Sequence, residues 1–339
     1  MRDIVKSSVD IKNIKYVKMG IVWAVLAGLM YGVGPTFQTY ALMQEPYLTT
    51  ASLSLMLVPM SMAAAQDLTA AFMVFLKNMK AGKHKEYLRV IRTKPGKFVI
   101  IASIFGGPVA LGTYMAAVIL CGPVYAITIT AILPVVGALL SRIFLKEKIS
   151  SRGWFGIAMC IAGSALISWM APSAEVYPHF YLGVALAFVT ALGWASEAVI
   201  STAGMDFIDP EIAIGTRFVI SGTFSLIALP IVSGIGLKSF GYFVDSIFSM
   251  SYVWMIGAAF FAGFSYFFYY KACNAAGAAR SMAINPSYTL VATLLGVVIF
   301  KSTLSWNFFV GLAFMLIGTI NVVGKPSDLL SLRNLEDVE

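Results

Sequence analysis

Long apolar runs separated by short polar segments dominate the pattern of this chain. The first run, residues 19–42, contains no Asp, Glu, Lys or Arg, and about 20 apolar residues at roughly 1.5 Å each cross the hydrocarbon core of a bilayer. Strands of a membrane barrel would instead be alternating segments of about ten residues. The pattern therefore predicts an all-α integral membrane protein with ten transmembrane helices (spans 1 to 10), near residues 19–42, 50–76, 98–120, 122–144, 153–171, 180–203, 211–236, 252–272, 279–300 and 303–324.

The composition agrees with a protein that lies within a membrane. Apolar residues make up 59% of the 339 positions and charged residues only 12%, which leaves too few polar side chains for an ordinary water-facing surface. No polar stretch reaches the length of a soluble domain. We expect no metal and no cofactor, because the cysteines stand singly, without disulfide or metal-ligand spacing, at Cys121, Cys160 and Cys273.

Basic residues are concentrated on one side of the predicted topology. With the N-terminus inside, 21 of the 24 Lys and Arg residues fall in or beside inward-facing segments, eight of them in residues 77–97, whereas Lys238 and Lys301 face outward. The positive-inside rule then predicts a protein of the cytoplasmic membrane with both terminal segments, residues 1–18 and 325–339, in the cytoplasm. The net charge of +8 indicates topology and affinity for the anionic lipid bilayer, with no nucleic-acid partner.

The chain matches itself when it is shifted by 155 residues. The shift aligns Tyr114 with Tyr269, Gly122 with Gly277, Lys146 with Lys301, Gly156 with Gly311 and Gly163 with Gly318. The sequence therefore predicts two repeats, residues 19–171 and 180–324, of five spans each. Because five is an odd number, the second repeat enters the membrane from the opposite side, and such inverted repeats are typical of transporters with a site at the repeat interface.

The segment "GPVYAITITAILPVVGALLSRIFLKEKISSRGWFGIAMCIAGSALI" and its degenerate copy at residues 276–323 resemble the paired EamA repeats of the drug/metabolite transporter superfamily. The resemblance implies ten helices, cytoplasmic termini, a central cavity lined mainly by spans 1, 3, 4, 6, 8 and 9, and transport of small metabolites, commonly export. The chain departs from the pattern where Glu147 of the first copy becomes Ser302 in the second, and where the loop 77–97 is unusually long.

Three charged residues, Asp67, Glu197 and Arg217, fall at least six residues inside the predicted spans, where a charge costs roughly 2.5–3.5 kcal/mol or more. Asp67 lies about 14 Å from the cytoplasmic end if span 2 continues to residue 76, and it lies in the interface if the apolar part of that helix ends earlier. Glu197 and Arg217 are expected at similar depth, each about 10 Å from the cytoplasmic side. They are interpreted either as a structural ion pair or as substrate-binding or gating groups.

Aromatic and amide side chains mark a candidate cavity. Tyr31 and Trp194 occupy matching places in spans 1 and 6, so we predict that they touch the substrate or serve helix packing. Asn285 precedes Pro286 in span 9, and span 4 carries Thr128, Thr130 and Pro134 in the matching region. Prolines interrupt the helical hydrogen bonds, and paired interruptions point to a binding site. The sequence predicts a water-accessible cavity bordered by Tyr31, Gln38, Trp194, Tyr266 and Asn285.

These features predict a secondary transporter that moves a small, amino-acid-like, cationic or related amphipathic solute by alternating access, most simply as an exporter. Proton-coupled uptake of a sugar, nucleoside or quaternary amine is the alternative, and the protein is expected as a monomer or homodimer. A channel would need a filter loop or charged ring, and no enzyme motif is present. Asp67 has no partner visible in the sequence, which favours it over Glu197 as a proton carrier.

Overall fold

The computed structural model describes residues 2–50, 54–144, 151–169, 177–205, 207–301 and 304–323. Lys146, Glu147, Ser302 and the segment 325–339, which the sequence analysis singled out, lie outside the described residues. Within them, every element of regular secondary structure is a helix. The prediction of an all-α chain is therefore confirmed for the described residues.

The α-helices follow one another with short connections. They are α1 (Arg2–Leu42), α2 (Tyr47–Thr50), α3 (Leu57–Lys80), α4 (Glu86–Ile91), α5 (Lys94–Ile104), α6 (Gly112–Cys121), α7 (Pro123–Thr130), α8 (Leu133–Phe144), α9 (Ser151–Trp169), α10 (Phe180–Met205), α11 (Pro210–Val232), α12 (Lys238–Ile247), α13 (Met250–Ala276), α14 (Ala278–Ile284), α15 (Tyr288–Phe300) and α16 (Trp306–Val323). A π-helix, Phe105–Leu111, joins α5 to α6, and a 3₁₀ turn, Asn285–Ser287, joins α14 to α15.

Seven helical segments in the described part of the chain are long and apolar enough to cross a membrane. They are Lys18–Leu42, Leu57–Lys80, Lys94–Cys121, Pro123–Leu140, Phe180–Met205, Pro210–Val232 and Met250–Ala276. Two shorter apolar helices follow, Tyr288–Phe300 and Trp306–Asn321. The chain is thus a multi-pass membrane protein, and the count of ten spans stays a prediction.

Spans 4 and 9 are interrupted at corresponding places, as the sequence analysis predicted from their prolines. Helix α8 resumes at Leu133 and α15 resumes at Tyr288, which are 155 residues apart. Pro134 has no N–H to donate to the carbonyl one turn before it, so the helical hydrogen-bond pattern fails there. The turns that precede α7 and α14 also correspond, since Gly122 and Gly277 both have positive φ angles, 86° and 91°. Such angles favour glycine over residues with a Cβ.

The π-helix has no counterpart in the second half. It contains the sequence Phe-Gly-Gly-Pro at residues 105–108, whereas the shift of 155 residues gives Phe-Phe-Ala-Gly at 260–263, within the continuous helix α13. Pro108 cannot donate an N–H, and Gly106 and Gly107 add conformational freedom. Single π-helical turns are frequent at functional sites. This local difference breaks the symmetry of the two halves.

Two ends of the helix bundle can be distinguished. Lys77 near the end of α3 and Lys271 near the end of α13 both contact Glu211 at the start of α11, so these helix ends meet. This end is called the basic end. The opposite end, where α1 reaches Leu42 and α13 begins, is called the far end.

Helix α1 packs closely on span 9. A Cβ added to Gly32 would lie only 2.6 Å from Val291 Cβ.

Candidate functional site

Five aromatic side chains surround the middle of α1. The Tyr31 ring lies 5.6 Å from that of Trp194 and 5.3 Å from that of Tyr288, and its other neighbours are Tyr114 at 6.4 Å and Tyr266 at 6.3 Å, between ring centroids. These five residues are called the aromatic cluster. They come from α1, α6, α10, α13 and α15, so both halves of the chain contribute. The predicted proximity of Tyr31, Trp194 and Tyr266 is confirmed.

A cavity lies beside the aromatic cluster. Five of its nine lining residues are aromatic, and the others supply one carboxylate, one serine hydroxyl, one amide and one aliphatic side chain. The lining residues are Tyr31, Leu133, Trp194, Glu197, Ser265, Tyr266, Tyr269, Asn285 and Tyr288. Only about 20 Å³ of the cavity is open to the centre of a water-sized molecule, which is room for about one water molecule. A larger molecule can enter only if the rings move apart.

Several polar atoms near this cavity are buried without a protein partner. Among the described residues, Tyr31 OH, Trp194 Nε1, Tyr269 OH and Asn285 Oδ1 have no hydrogen-bond partner. Buried polar groups are nearly always hydrogen-bonded, and an unpaired one costs about 1–3 kcal/mol. These atoms are therefore available to a polar solute or to water in the cavity. The location of Asn285 at the interruption of span 9 explains how its side chain reaches the cavity wall.

A buried ion-pair triad lies next to the cavity. Arg217 of α11 donates from Nη1 to Asp67 Oδ2 at 2.7 Å and from Nε to Glu197 Oε1 at 2.8 Å. Ser221, one turn further along α11, donates to the same oxygen of Asp67, and Tyr270 donates to Glu197 Oε1 at 2.9 Å. All three charged side chains are at most 3% exposed. The expected pair of Glu197 and Arg217 is confirmed as a contact.

The expectation that Asp67 lacks a partner is wrong. Asp67 binds Arg217 because α3 and α11 pack side by side, and residues 150 positions apart in the chain meet there. Its side chain is 1% exposed, so it lies inside the helix bundle and not on an exposed interfacial surface. The argument that burial acts on this carboxylate unopposed fails, because the guanidinium of Arg217 acts against the effect of burial. Asp67 also does not line the cavity, whereas Glu197 does.

The π-helix shapes the triad. Arg217 Nη2 donates to the carbonyl of Gly106 at 3.0 Å, so the guanidinium is bound by three different helical segments. A Cβ added to Gly106 would collide with the carboxylate of Glu197, and one added to Gly107 would collide with the hydroxyl of Ser221. These two glycines therefore allow α10 and α11 to lie close to the π-helix, which is where the triad forms.

Three predicted site residues do not line the cavity. Gln38 is buried two helical turns beyond Tyr31 and donates from Nε2 to Gln66 Oε1 at 2.8 Å. Thr128 is fully buried within α7. Thr130 donates to the Ile127 carbonyl in its own helix and lies 3.3 Å from Tyr288 OH. The Thr128 hydroxyl has no hydrogen-bond partner among the described residues, whereas Thr130 bonds within its own helix, as threonine often does. Residue type alone does not distinguish such positions from the cavity wall.

Other residues of the site were missed by the sequence analysis. Tyr114 and Tyr269 were aligned by the 155-residue shift, and both prove to lie at the cavity or in the aromatic cluster. That alignment of two tyrosines was the available signal. Tyr270 and Ser221, which bind the carboxylates, gave no such signal, because one lies in the aromatic run Ser265–Tyr270 and the other is one of many serines.

Ion pairs hold the basic end together. Glu211 accepts from Lys77 at 2.8 Å, from Lys83 at 3.3 Å and from Lys271 at 3.0 Å, and Lys83 also binds Asp209 at 2.7 Å. The Lys271 ammonium further lies 5.2 Å from the ring of Trp23 in α1. Lys83 lies in the loop after α3, and its hydrogen bond to Asp209 raises the pKa of its ammonium group. The network joins the ends of α3, α11 and α13 beneath the cavity.

The family of the chain follows from its sequence matches. The EamA-like transporter family matches residues 18–169 and again residues 181–324. The chain belongs to this family. It is therefore a membrane transporter of the drug/metabolite transporter superfamily, as the resemblance of the two repeats predicted, and the family's members transport small solutes.

Two further proteins are similar to this EamA-like transporter. Protein LicB of Haemophilus influenzae is 30% identical over 201 residues, which are 59% of this chain and 66% of LicB. The match spans slightly less than two thirds of that relative's own length. A crystal structure of a protein 16% identical to this transporter superposes with a TM-score of 0.56 over 89% of this chain and 96% of the other. At that identity the similarity supports the fold alone.

Proposed function

We propose that this EamA-like transporter moves a small organic cation through the cavity beside the aromatic cluster. The observation that carries the proposal is a set of aromatic rings arranged around one carboxylate, that of Glu197. Aromatic faces attract cations by about 2 kcal/mol or more when the contact is desolvated, and aromatic cages are the usual sites for quaternary ammonium groups.

The charge of the triad supports a cationic solute. Asp67 and Glu197 face a single guanidinium, so the formal charges of the three side chains sum to −1. A net charge in a low-dielectric interior is costly unless a partner balances it. An organic cation next to Glu197 would supply that balance.

The same geometry disfavours the other solute classes considered. None of the described side chains that line the cavity is basic, and Arg217 lies outside this lining and binds Asp67, Glu197 and the Gly106 carbonyl. An anionic solute, or the carboxylate of an amino acid, would find no cationic side chain on the cavity wall. A sugar would need many directed hydrogen bonds, and the cavity walls are mainly apolar ring surface.

Transport by this site is proposed to use alternating access between two inverted repeats of five spans. The cluster takes residues from both repeats, and the paired interruptions of spans 4 and 9 lie beside it, which is the usual arrangement in such folds. Net export is the direction implied by the family resemblance. We propose that a proton and the cationic solute balance the excess charge in turn at Glu197, which faces the cavity, while Asp67 fixes Arg217.

Binding measurements with purified protein test the proposed solute class. Tetramethylammonium should raise the apparent unfolding temperature, because a ligand of the native state stabilises it by mass action. Neopentyl alcohol, which is uncharged and of similar size, should not. Tyr31→Phe should retain tetramethylammonium binding and Tyr31→Leu should weaken it about 10- to 30-fold, since only the first keeps the ring. Stabilisation by amino acids or sugars and not by ammonium ions would refute the proposal.

Transport measurements test the coupling. In proteoliposomes with an imposed pH gradient, Glu197→Gln should abolish gradient-driven accumulation of the cation, because the variant has no carboxylate among the described residues that line the cavity. Asp67→Asn should keep a measurable fraction of it. If Asp67→Asn alone abolishes gradient-driven transport while leaving exchange between loaded vesicles intact, the proton is carried by Asp67 and the assignment to Glu197 is wrong.

A further inference from the structure

A short amphipathic helix, α12, lies outside the candidate spans at the far end of the bundle. It connects α11 to α13 and has three distinct faces. One face packs on the protein through Ser239, Phe243 and Ser246, which are at most 7% exposed. The other two faces are exposed, and they differ in polarity.

The second face of α12 is apolar and exposed. Four large apolar side chains recur at intervals of three or four residues, two within α12 and two at the residues that cap it: Phe240 is 38% exposed, Val244 49%, the N-terminal cap Leu237 76% and the C-terminal cap Phe248 86%. This spacing places them in one stripe of the helix surface. The third face carries the exposed residues Lys238, Gly241 and Asp245. At 3.6 residues per turn, the centres of the apolar and polar faces are separated by roughly 90° around the helix axis.

The spans on either side of α12 in the chain also expose apolar side chains where they meet it. Ile231 and Val232 at the end of α11 are 77% and 40% exposed, and Met250 and Val253 at the start of α13 are 61% and 58% exposed. Both α11 and α13 are long and apolar enough to cross a membrane. A helix that joins two such span ends, with an exposed apolar face and a polar face turned by about a quarter of a circle, fits a membrane–water interface.

We infer that α12 is an interfacial helix whose stripe of Leu237, Phe240, Val244 and Phe248 inserts among lipid chains at the far surface of the membrane. The occupant of the stripe is lipid and not a second copy of the chain, because the ends of both flanking spans also expose apolar side chains and because the stripe is bordered by the polar face of Lys238, Gly241 and Asp245. Lys238 lies at the start of the helix, where its ammonium can reach the lipid headgroups.

Helix α12 packs on the two helices that carry Asp67 and Arg217 of the triad. Phe243 packs with Leu57, Met60 and Ala64 of α3 and with Leu229 of α11. Asp67 lies on α3 and Arg217 on α11. Tyr242 OH also donates to the Pro46 carbonyl at 3.3 Å, which ties α12 to the segment after α1. Because α12 packs on the far ends of α3 and α11, its position in the membrane surface also determines where these two helix ends lie.

Spin labelling at neighbouring positions tests the inference. The three native cysteines are buried and are replaced before single cysteines are introduced by Val244→Cys, Phe248→Cys and Asp245→Cys, all at exposed positions where a label does not disturb packing. The labelled transporter is reconstituted in vesicles of phosphatidylcholine and phosphatidylglycerol in equal amounts. Accessibility of each label to oxygen, which concentrates in lipid, and to a water-soluble nickel chelate is then measured.

Labels at Val244 and Phe248 should favour oxygen over the nickel chelate, whereas the label at Asp245 should show the reverse preference. Equal and high nickel accessibility at all three positions would place α12 in water and overturn the inference. Low accessibility to both reagents at Val244 and Phe248, with dipolar broadening between labels, would show a contact between two copies and would also overturn it.

Discussion

Removal of the Arg217 guanidinium is the most direct test of how the buried triad is held together. Arg217→Met keeps a long unbranched side chain but deletes the charge and the bonds to Asp67, Glu197 and the Gly106 carbonyl, at 2.7, 2.8 and 3.0 Å. Two carboxylates would then remain without a cationic partner, and both are at most 3% exposed.

The expected cost is large because the charges are fully buried. Breaking a buried ion pair by removing one partner costs about 3–5 kcal/mol, which lowers the folding equilibrium constant by roughly two to nearly four orders of magnitude. Surface pairs give only about 0–1 kcal/mol. Lys83→Gln is therefore the control, since the Lys83–Asp209 pair is 36% and 42% exposed.

The assay is unfolding in mixed detergent micelles, followed by circular dichroism as denaturing detergent is added. Arg217→Met should unfold at much lower denaturing detergent than the parent protein, and Lys83→Gln close to it. The triple variant Asp67→Asn, Glu197→Gln, Arg217→Met should regain most of the loss, because it removes the unpaired charges together. If Arg217→Met unfolds like the parent, or the triple variant is no more stable than the single one, the triad does not stabilise the structure as charged groups.

Three further outcomes follow from the same geometry. Gly107→Ala should destabilise the protein by about 1–3 kcal/mol in the same unfolding assay, because the Cβ of the alanine would collide with Ser221. Gly241→Ala is the control and should have little effect, because the space around Gly241 is open. Glu211→Gln should increase labelling of a cysteine placed in the cavity by a water-soluble reagent that enters from the basic end, whereas Glu86→Gln, in an exposed pair, should not. The Lys83–Asp209 ion pair should contribute equally to the stability of the protein from pH 6 to pH 9. Because the pKa of Lys83 is raised, this contribution is lost only as the pH rises above about 10.4. A difference in stability between the parent protein and Lys83→Gln that changes between pH 6 and pH 9 would contradict this.

The periodic features of the sequence predicted the structure well. Long uncharged runs predicted the helices, and prolines predicted where spans 4 and 9 break, because a missing N–H acts locally and does not depend on distant residues. The helix ends were less accurate, and α12 was missed, since its ten residues are too few to span a membrane. Its amphipathic character becomes meaningful only beside the exposed surface of the spans.

The candidate site was predicted in part, for a physical reason. Tyr31 and Trp194 could be paired from the repeat, and Glu197 with Arg217 from depth along their helices. Depth, however, does not say which helices are neighbours, so the bond between Asp67 and Arg217 was invisible until α3 and α11 were seen to pack together. The same limitation explains Gln38, which has the right residue type but faces Gln66.

The π-helix beside the triad also breaks the symmetry of the two halves of the chain. At the positions that correspond by the shift of 155 residues, Gly106, Gly107 and Pro108 are replaced by Phe261, Ala262 and Gly263 within the continuous helix α13. Arg217 of the second half binds the Gly106 carbonyl and Asp67 of the first half, whereas Glu197 belongs to the same half as Arg217. If the two halves move relative to each other, as proposed above for transport, the guanidinium would lose its bonds to Asp67 and Gly106 while it keeps Glu197. The groups that balance the charge of Arg217 would then differ between the two states.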